Sequence, residues 1–271
     1  MKKIFYLLSI TFLILQSCST DSASDSNTPD NSVVLVKSII RSHDPNTSNW
    51  AGGNNQRMDY FYNGSKLDHM DWSWVDLNGT LIENNFIYTY NGNLITKTEG
   101  FNNNTLMMRV TYTYNNSQQI IETNQFTRDE QANSIYHSHK SLFTYNPDGT
   151  VTEQYYEGSF NNPVQYVIRY TYTIADGEIR NIVEANPNGY INKTKVFSYD
   201  NKNNPFKNVT GFNLLLGGFM GGRNYNVIQE TVNYSAGSSN TKTYTYSYNS
   251  DNYPVSISSS FGSQSQTITY Y

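Results

Sequence analysis

The chain has 271 residues, is rich in tyrosine (24) and phenylalanine (13), and carries a net charge of −4. Its one cysteine excludes a disulfide-stabilised fold, so stability has to come from packing. Net negative charge without a basic patch excludes a nucleic-acid-binding role, and an excess of Tyr, Phe, Asn and Thr over Ala and Leu favours sheets and turns over helices.

Lys2 and Lys3 precede an apolar run over residues 4–15, broken by Ser9 and Thr11. The run is too short to span a bilayer and reads as an export signal. Leu15-Gln16-Ser17-Cys18 follows and resembles a lipobox, the bacterial motif at which a diacylglycerol joins the cysteine sulfur and the chain is cut just before it. Residues 1–17 are therefore expected as signal peptide and Cys18 as the lipidation site. Losing those residues with both lysines takes the net charge from −4 to −6. A single acyl chain holds a protein only marginally, at about 0.8 kcal/mol per methylene, so a diacylglyceryl group plus an N-acyl chain gives a firm membrane anchor.

Residues 18–32 are Ser, Thr, Asp, Asn and Pro with one Ala after the cysteine, a flexible tether with nothing to bury. Ser19-Thr20-Asp21 resembles the surface-export signals of Bacteroidetes lipoproteins, and Asp21-Ser22-Ala23 resembles an O-glycosylation motif of that phylum. A plain solvated linker accounts for both equally well. The expected location is the outer membrane, lipid-anchored, on its periplasmic or cell-surface face.

From residue 33 to 271 one phrase recurs: aromatic, small residue, aromatic, turn, apolar residue. It reads Tyr60-Phe61-Tyr62-Asn63-Gly64, Tyr88-Thr89-Tyr90-Asn91-Gly92, Tyr112-Thr113-Tyr114-Asn115, Phe143-Thr144-Tyr145-Asn146, Tyr170-Thr171-Tyr172, Phe197-Ser198-Tyr199-Asp200 and Tyr246-Ser247-Tyr248-Asn249, and the chain closes on Thr269-Tyr270-Tyr271. Successive second aromatics lie 28, 24, 31, 27, 27, 49 and 22 residues apart. Aromatic-x-aromatic has the period of a strand, so both rings share one face. Asn-Gly and Asp-Gly supply the positive φ of tight hairpin turns. Leu67, Leu94, Ile120, Val151, Ile179 and Val255 open the returning strands. Fixing about 27 residues costs more than burying a handful of large side chains returns, so no hairpin stands alone. The expectation is a single all-β domain: a long antiparallel meander sharing one aromatic core, curled by its twist into a roll or open barrel.

This pattern resembles the YD-repeat, or RHS-like, proteins, and more closely a group of Bacteroidetes lipoproteins of unknown function described as having a porin-like fold. Asn replaces the Asp typical of YD repeats, and their Gly-Arg after the turn is missing. The resemblance implies a barrel-like sheet at the envelope and carries no catalytic residue over. A barrel embedded in lipid is not expected. The strand face opposite the tyrosines carries Arg109, Thr111 and Thr113 in one strand and Thr243, Thr245 and Ser247 in another, where a membrane barrel needs an apolar band.

The interval of 49 residues holds one insertion, about residues 205–223, the most apolar stretch after the export signal. Phe206, Phe212, Leu215 and Phe219 either plug the roll with apolar side chains or cover a ligand pocket. A strand is expected to resume over residues 227–234. Trp72 and Trp74 share a face, with Trp50 upstream; they serve either as core or as a platform for sugars. Asp68 and His69 are expected on opposite strand faces, and His137 and His139 on one face. Two such histidines do not make a zinc site, and the turn acids Asp148, Asp176, Asp200 and Asp251 fit no calcium loop. No short catalytic motif is present. The sequence therefore reads as a cofactor-free, metal-free monomer and not an enzyme, binding a glycan, peptide or partner protein on its curved sheet. The alternatives are a purely structural or adhesive surface protein and, less favoured, a glycan-active enzyme.

Overall fold

The computed structural model describes residues 28–30, 32–42, 55–76, 78–216, 222–260 and 265–271. The export segment, Cys18, most of the tether, Trp50 and Phe219 lie outside these residues.

Sixteen strands follow one another: β1 (Val36–Ser42), β2 (Asn55–Asn63), β3 (Lys66–Val75), β4 (Leu81–Asn91), β5 (Leu94–Asn102), β6 (Thr105–Tyr114), β7 (Ile120–Asp129), β8 (Ser134–Tyr145), β9 (Thr150–Ser159), β10 (Asn162–Ala175), β11 (Glu178–Ala185), β12 (Ile191–Tyr199), β13 (Val227–Tyr234), β14 (Ser239–Tyr248), β15 (Pro254–Ser259) and β16 (Ser265–Tyr270). Each pairs antiparallel with its successor, and β1 pairs with β16. The sheet expected as a roll or open barrel is thus a closed barrel, which leaves no free edge to aggregate. β13 spans the residues where a strand was expected to resume.

Alternation sets inside from outside. In β2, Gln56, Met58, Tyr60 and Tyr62 are buried, while Asn55, Arg57 and Asn63 are exposed. Tyr88 and Tyr172 are buried on the same inner face. The turns follow the expected chemistry: Gly64 and Gly92 have φ of 60° and 56°, and Asp176-Gly177 has 54° and 75°, the left-handed pair of a two-residue hairpin loop.

One feature was not expected. Beyond five of the turns, three of them two-residue and two of them five-residue loops, the returning strand gains an extra residue. Tyr90 pairs with Ile95 but Thr89 with Lys97; Tyr114 pairs with Ile120 but Thr113 with Glu122. The same step recurs at Leu67–His69, Ile179–Asn181 and Pro254–Ser256. The ladder to the following strand begins only past the bulge, as at Lys97–Thr111 and Asn181–Val196. Backbone groups before it would lack partners. Tyrosine hydroxyls from the next hairpin supply them. Tyr114 donates to the Ile95 carbonyl at 2.7 Å, Tyr199 to Ile179 at 2.6 Å, Tyr246 to Val227 at 2.6 Å and Tyr270 to Pro254 at 2.7 Å. The Tyr90 hydroxyl accepts from the Leu67 amide at 3.1 Å.

Candidate functional site

The tyrosine-flanked turns gather at one end of the barrel, and the insertion closes that end. Phe206 meets the Tyr60 ring at 5.3 Å, Phe212 meets Tyr88 at 5.9 Å, and the two phenylalanines stack at 5.6 Å. Phe206, Phe212 and Leu215 are buried in the main core with Val209. The described part of this segment packs inside the barrel end, with one turn of 3-10 helix at Phe212–Leu214, and Asn213, Leu214 and Leu216 also line a concavity beside it. Two acids fasten its return. The Glu178 carboxylate, fully buried, accepts the backbone N–H groups of Arg223, Asn224 and Tyr225 at 2.9, 2.6 and 3.0 Å. Asp200 accepts the Asn226 amide at 3.0 Å and the Tyr248 hydroxyl.

Below the plug the lumen changes character. Gln266 (β16), Arg41 (β1), Gln56 (β2) and Trp74 (β3) are successive register partners, so they form one inward row across four strands. Arg41 Nε, both amide atoms of Gln56 and Gln266 Oε1 are buried with no hydrogen-bond partner among the described residues, as is the indole N–H of the neighbouring Trp72. Gln56 is 1% exposed. Burial lowers the Arg41 guanidinium from its ordinary value, with Tyr60 opposing the shift in part. A cavity of about 280 Å³ opens on one side of Arg41, walled by Met58, Met70, Trp72, Phe86, Met108 and Tyr112. A second, of about 290 Å³, opens on the other, where Pro205 and Val227 meet Glu230, Lys242, Tyr244 and Gln266. Across that wall Lys195 and Glu230 approach to 3.4 Å.

Trp72 and Trp74 therefore share the inner face, their rings 4.8 Å apart, and Trp72 lines the first cavity. The histidine expectations reverse, both because of bulges. Asp68 and His69 were expected on opposite faces; the extra residue after Leu67 lets their side chains meet at 2.7 Å, with His69 stacked on Phe61 at 4.3 Å. His137 and His139 were expected on one face. They pair with the adjacent residues Phe126 and Gln125, so they point to opposite faces, His137 stacking on Phe126 and His139 on Tyr155.

A third concavity, of about 620 Å³, lies against strands β2–β5 and includes outward-facing Asp59, Asp71, Glu83 and Asn85. Asp59 and Asp71 are register partners. Arg57 forks onto Asp59 at 2.6 and 2.8 Å, and Asn85 donates to Asp71 at 2.7 Å, so both carboxylates are committed to neighbours. Elsewhere the outer wall mixes polar pairs with scattered exposed apolar residues such as Ile40, Ile87, Val196 and Ile228. Glu99 bridges Lys97 and Arg109, both at 2.7 Å, and Thr231 and Thr241 pair across strands at 3.1 Å. Arg41, Gln56 and Gln266 were missed by sequence reasoning. They lie outside the repeated phrase, and only strand pairing brings them together.

No protein-family model matches the chain, and no curated protein matches it. Among solved structures, a porin-like protein from Bacteroides uniformis is similar over 87% of this chain and 98% of its own, at 14% identity and a TM-score of 0.54. A porin-like protein from Bacteroides vulgatus is similar over 88% of this chain and 99% of its own, at 14% identity and a TM-score of 0.52. At that identity the likeness is one of fold. It agrees with the expected porin-like barrel, and neither protein is described as a YD-repeat or RHS protein.

Proposed function

We propose that this is a non-catalytic binding barrel of the bacterial envelope, held to the outer membrane by a lipid on Cys18, standing in water and taking a small ligand into its lumen. The observation that carries the reading is Arg41, set between two lumen cavities beneath the plug with unmet hydrogen-bonding groups on either side. The charged residues of the outer wall favour water over lipid, since each Arg or Lys near a bilayer midplane costs about 2–4 kcal/mol. The plug argues against an open conduit, whatever the porin-like description of the similar structures.

The chain also enters at the plugged end. Asp30 N–H donates to the Gly64 carbonyl at 2.9 Å, and Asn208 donates to the Val34 carbonyl at 2.9 Å. A lipid on Cys18 would thus tether the plugged end toward the membrane and leave the other end facing away. Metabolic labelling with a palmitate analogue, with Cys18→Ser as control, tests the anchor. A thermal-shift screen of small molecules tests the lumen: stabilisation lost on Trp72→Ala supports it, and a clean screen opposes it. A second reading, glycan binding on the outer concavity, is favoured by the Asp59, Asp71 and Asn85 side chains there, and an array hit lost on Asp71→Ala would support it. The dense packing of tyrosines under the plug favours the structural reading instead, and silence in both assays would point there.

A further inference from the structure

We infer that the lumen takes a small monocarboxylate with an apolar body, its carboxylate on Arg41 and its body in the methionine-walled cavity. This rests on the lumen reading above and names its ligand class. A guanidinium presents a planar fork of N–H donors that matches a carboxylate, and it cannot shed its charge. Every other arginine involved in an ion pair described above, Arg57 and Arg109, has its carboxylate within 2.7 Å. Arg41 Nε is buried with no hydrogen-bond partner among the described residues, on the inner face, where an isolated charge is costly.

Its neighbours in the row complete an acid-binding set. The Gln56 amide, register partner of Arg41, is 1% exposed and has both atoms unpartnered among the described residues. Trp72 adds an unpartnered N–H donor at the same cavity. The remaining wall decides the rest of the ligand. Most of it, Met58, Met70, Phe86, Met108 and Val110, offers no hydrogen bonds, the Thr98 and Tyr112 hydroxyls there pair with each other at 3.5 Å, Tyr88 adds one more hydroxyl, and methionines adapt to irregular apolar shapes. A volume of about 280 Å³ lies just below the usual range of sites that hold drug-sized molecules, about 300–1,000 Å³, so the ligand must be small. A short aliphatic or aromatic acid fits; a polysaccharide does not.

Calorimetry with octanoate as the acid and octanamide as its neutral counterpart separates the possibilities. We expect octanoate to bind the wild-type protein, Arg41→Gln to weaken it about 10- to 100-fold, and octanamide to be indifferent to that substitution. Arg41→Lys, which keeps the charge but not the fork, should fall between. Equal affinity for the two probes, no change on Arg41→Gln, or no octanoate binding would overturn the assignment. Failure of the lumen reading has another signature: binding of both probes that survives Val110→Trp, which fills the cavity. Thermal unfolding of each variant confirms that the barrel is intact.

Discussion

The Tyr114 hydroxyl donates to the Ile95 carbonyl at 2.7 Å, bonding the second aromatic of one hairpin to the first residue beyond the turn pair of the hairpin before it. This explains a preference that ring packing alone does not. The first aromatic of the phrase is Tyr or Phe, but the second is always Tyr. The ring fills the interior, and the hydroxyl mends the ladder where the bulge interrupts it. Not every second tyrosine does this: Tyr172 and Tyr248 donate instead to the Glu153 and Asp200 carboxylates. Tyr62 tests the idea, because its hydroxyl is buried without a partner among the described residues.

Tyr114→Phe, Tyr199→Phe and Tyr270→Phe should each destabilise the barrel by about 1 kcal/mol or somewhat more, since each leaves a backbone carbonyl unmet. Tyr62→Phe should be neutral or slightly stabilising. Urea denaturation of the four variants decides it, and equal losses at all positions would show that the hydroxyls are incidental.

The same hydroxyls predict alkaline fragility. Burial raises Tyr114, Tyr199, Tyr246 and Tyr270 well above the ordinary phenol value, and Tyr170 to about 12. The folded state therefore keeps protons that the unfolded chain releases above about pH 10. Stability from these groups is fully present below that value and falls as pH rises through the folded values. Urea midpoints should be level near pH 8 to 9 and drop steeply by about pH 11.5; a flat profile would contradict the buried placement.

Glu153 predicts a slope at the acid side. It is buried and accepts hydrogen bonds from Ser141 at 2.5 Å and from Tyr172, yet burial outweighs these and raises its carboxyl above 4.5. The stability linked to its protonation is complete below 4.5 and is lost as pH rises through the raised value. Glu153→Gln, neutral throughout, should gain on wild type as pH rises from 4.5 through the raised value. A gap between variant and wild type that does not change with pH would refute the assignment.

Glu178 should be the most sensitive acid in the barrel. Glu178→Ala strips an acceptor from three buried amides and should cost at least about 3 kcal/mol, while Glu178→Gln keeps an acceptor oxygen and should cost less. Hydrogen exchange at residues 223–225 would rise in the alanine variant first, and protection that stayed unchanged would show that the plug is held by its phenylalanines alone.

The meander, its turns and its inner face were legible because aromatic periodicity and Asn-Gly turns act locally. The bulges were not. The residues at the extra positions, Asp68, Thr96, Ile121, Arg180 and Val255, share no chemistry, so nothing in the string marks the slip. The slip at Asp68 reversed one histidine expectation, and a separate one at Ser138 reversed the other. Closure was equally hidden, because β1 carries no tyrosine phrase and its pairing with β16 joins residues at opposite ends of the chain. Arg41 fell in that blind strand. Beside Ile39 and Ile40 it reads as a strand end, and its isolation emerges only when Gln266 and Gln56 line up on either side.

The most direct measurement is a crystal structure of the protein grown with octanoate. The account predicts a carboxylate within about 3 Å of the Arg41 guanidinium and an alkyl chain running between Met70 and Met108. An octanoate bound on the outer wall, or a lumen that leaves Arg41 untouched while the acid binds elsewhere, would contradict it.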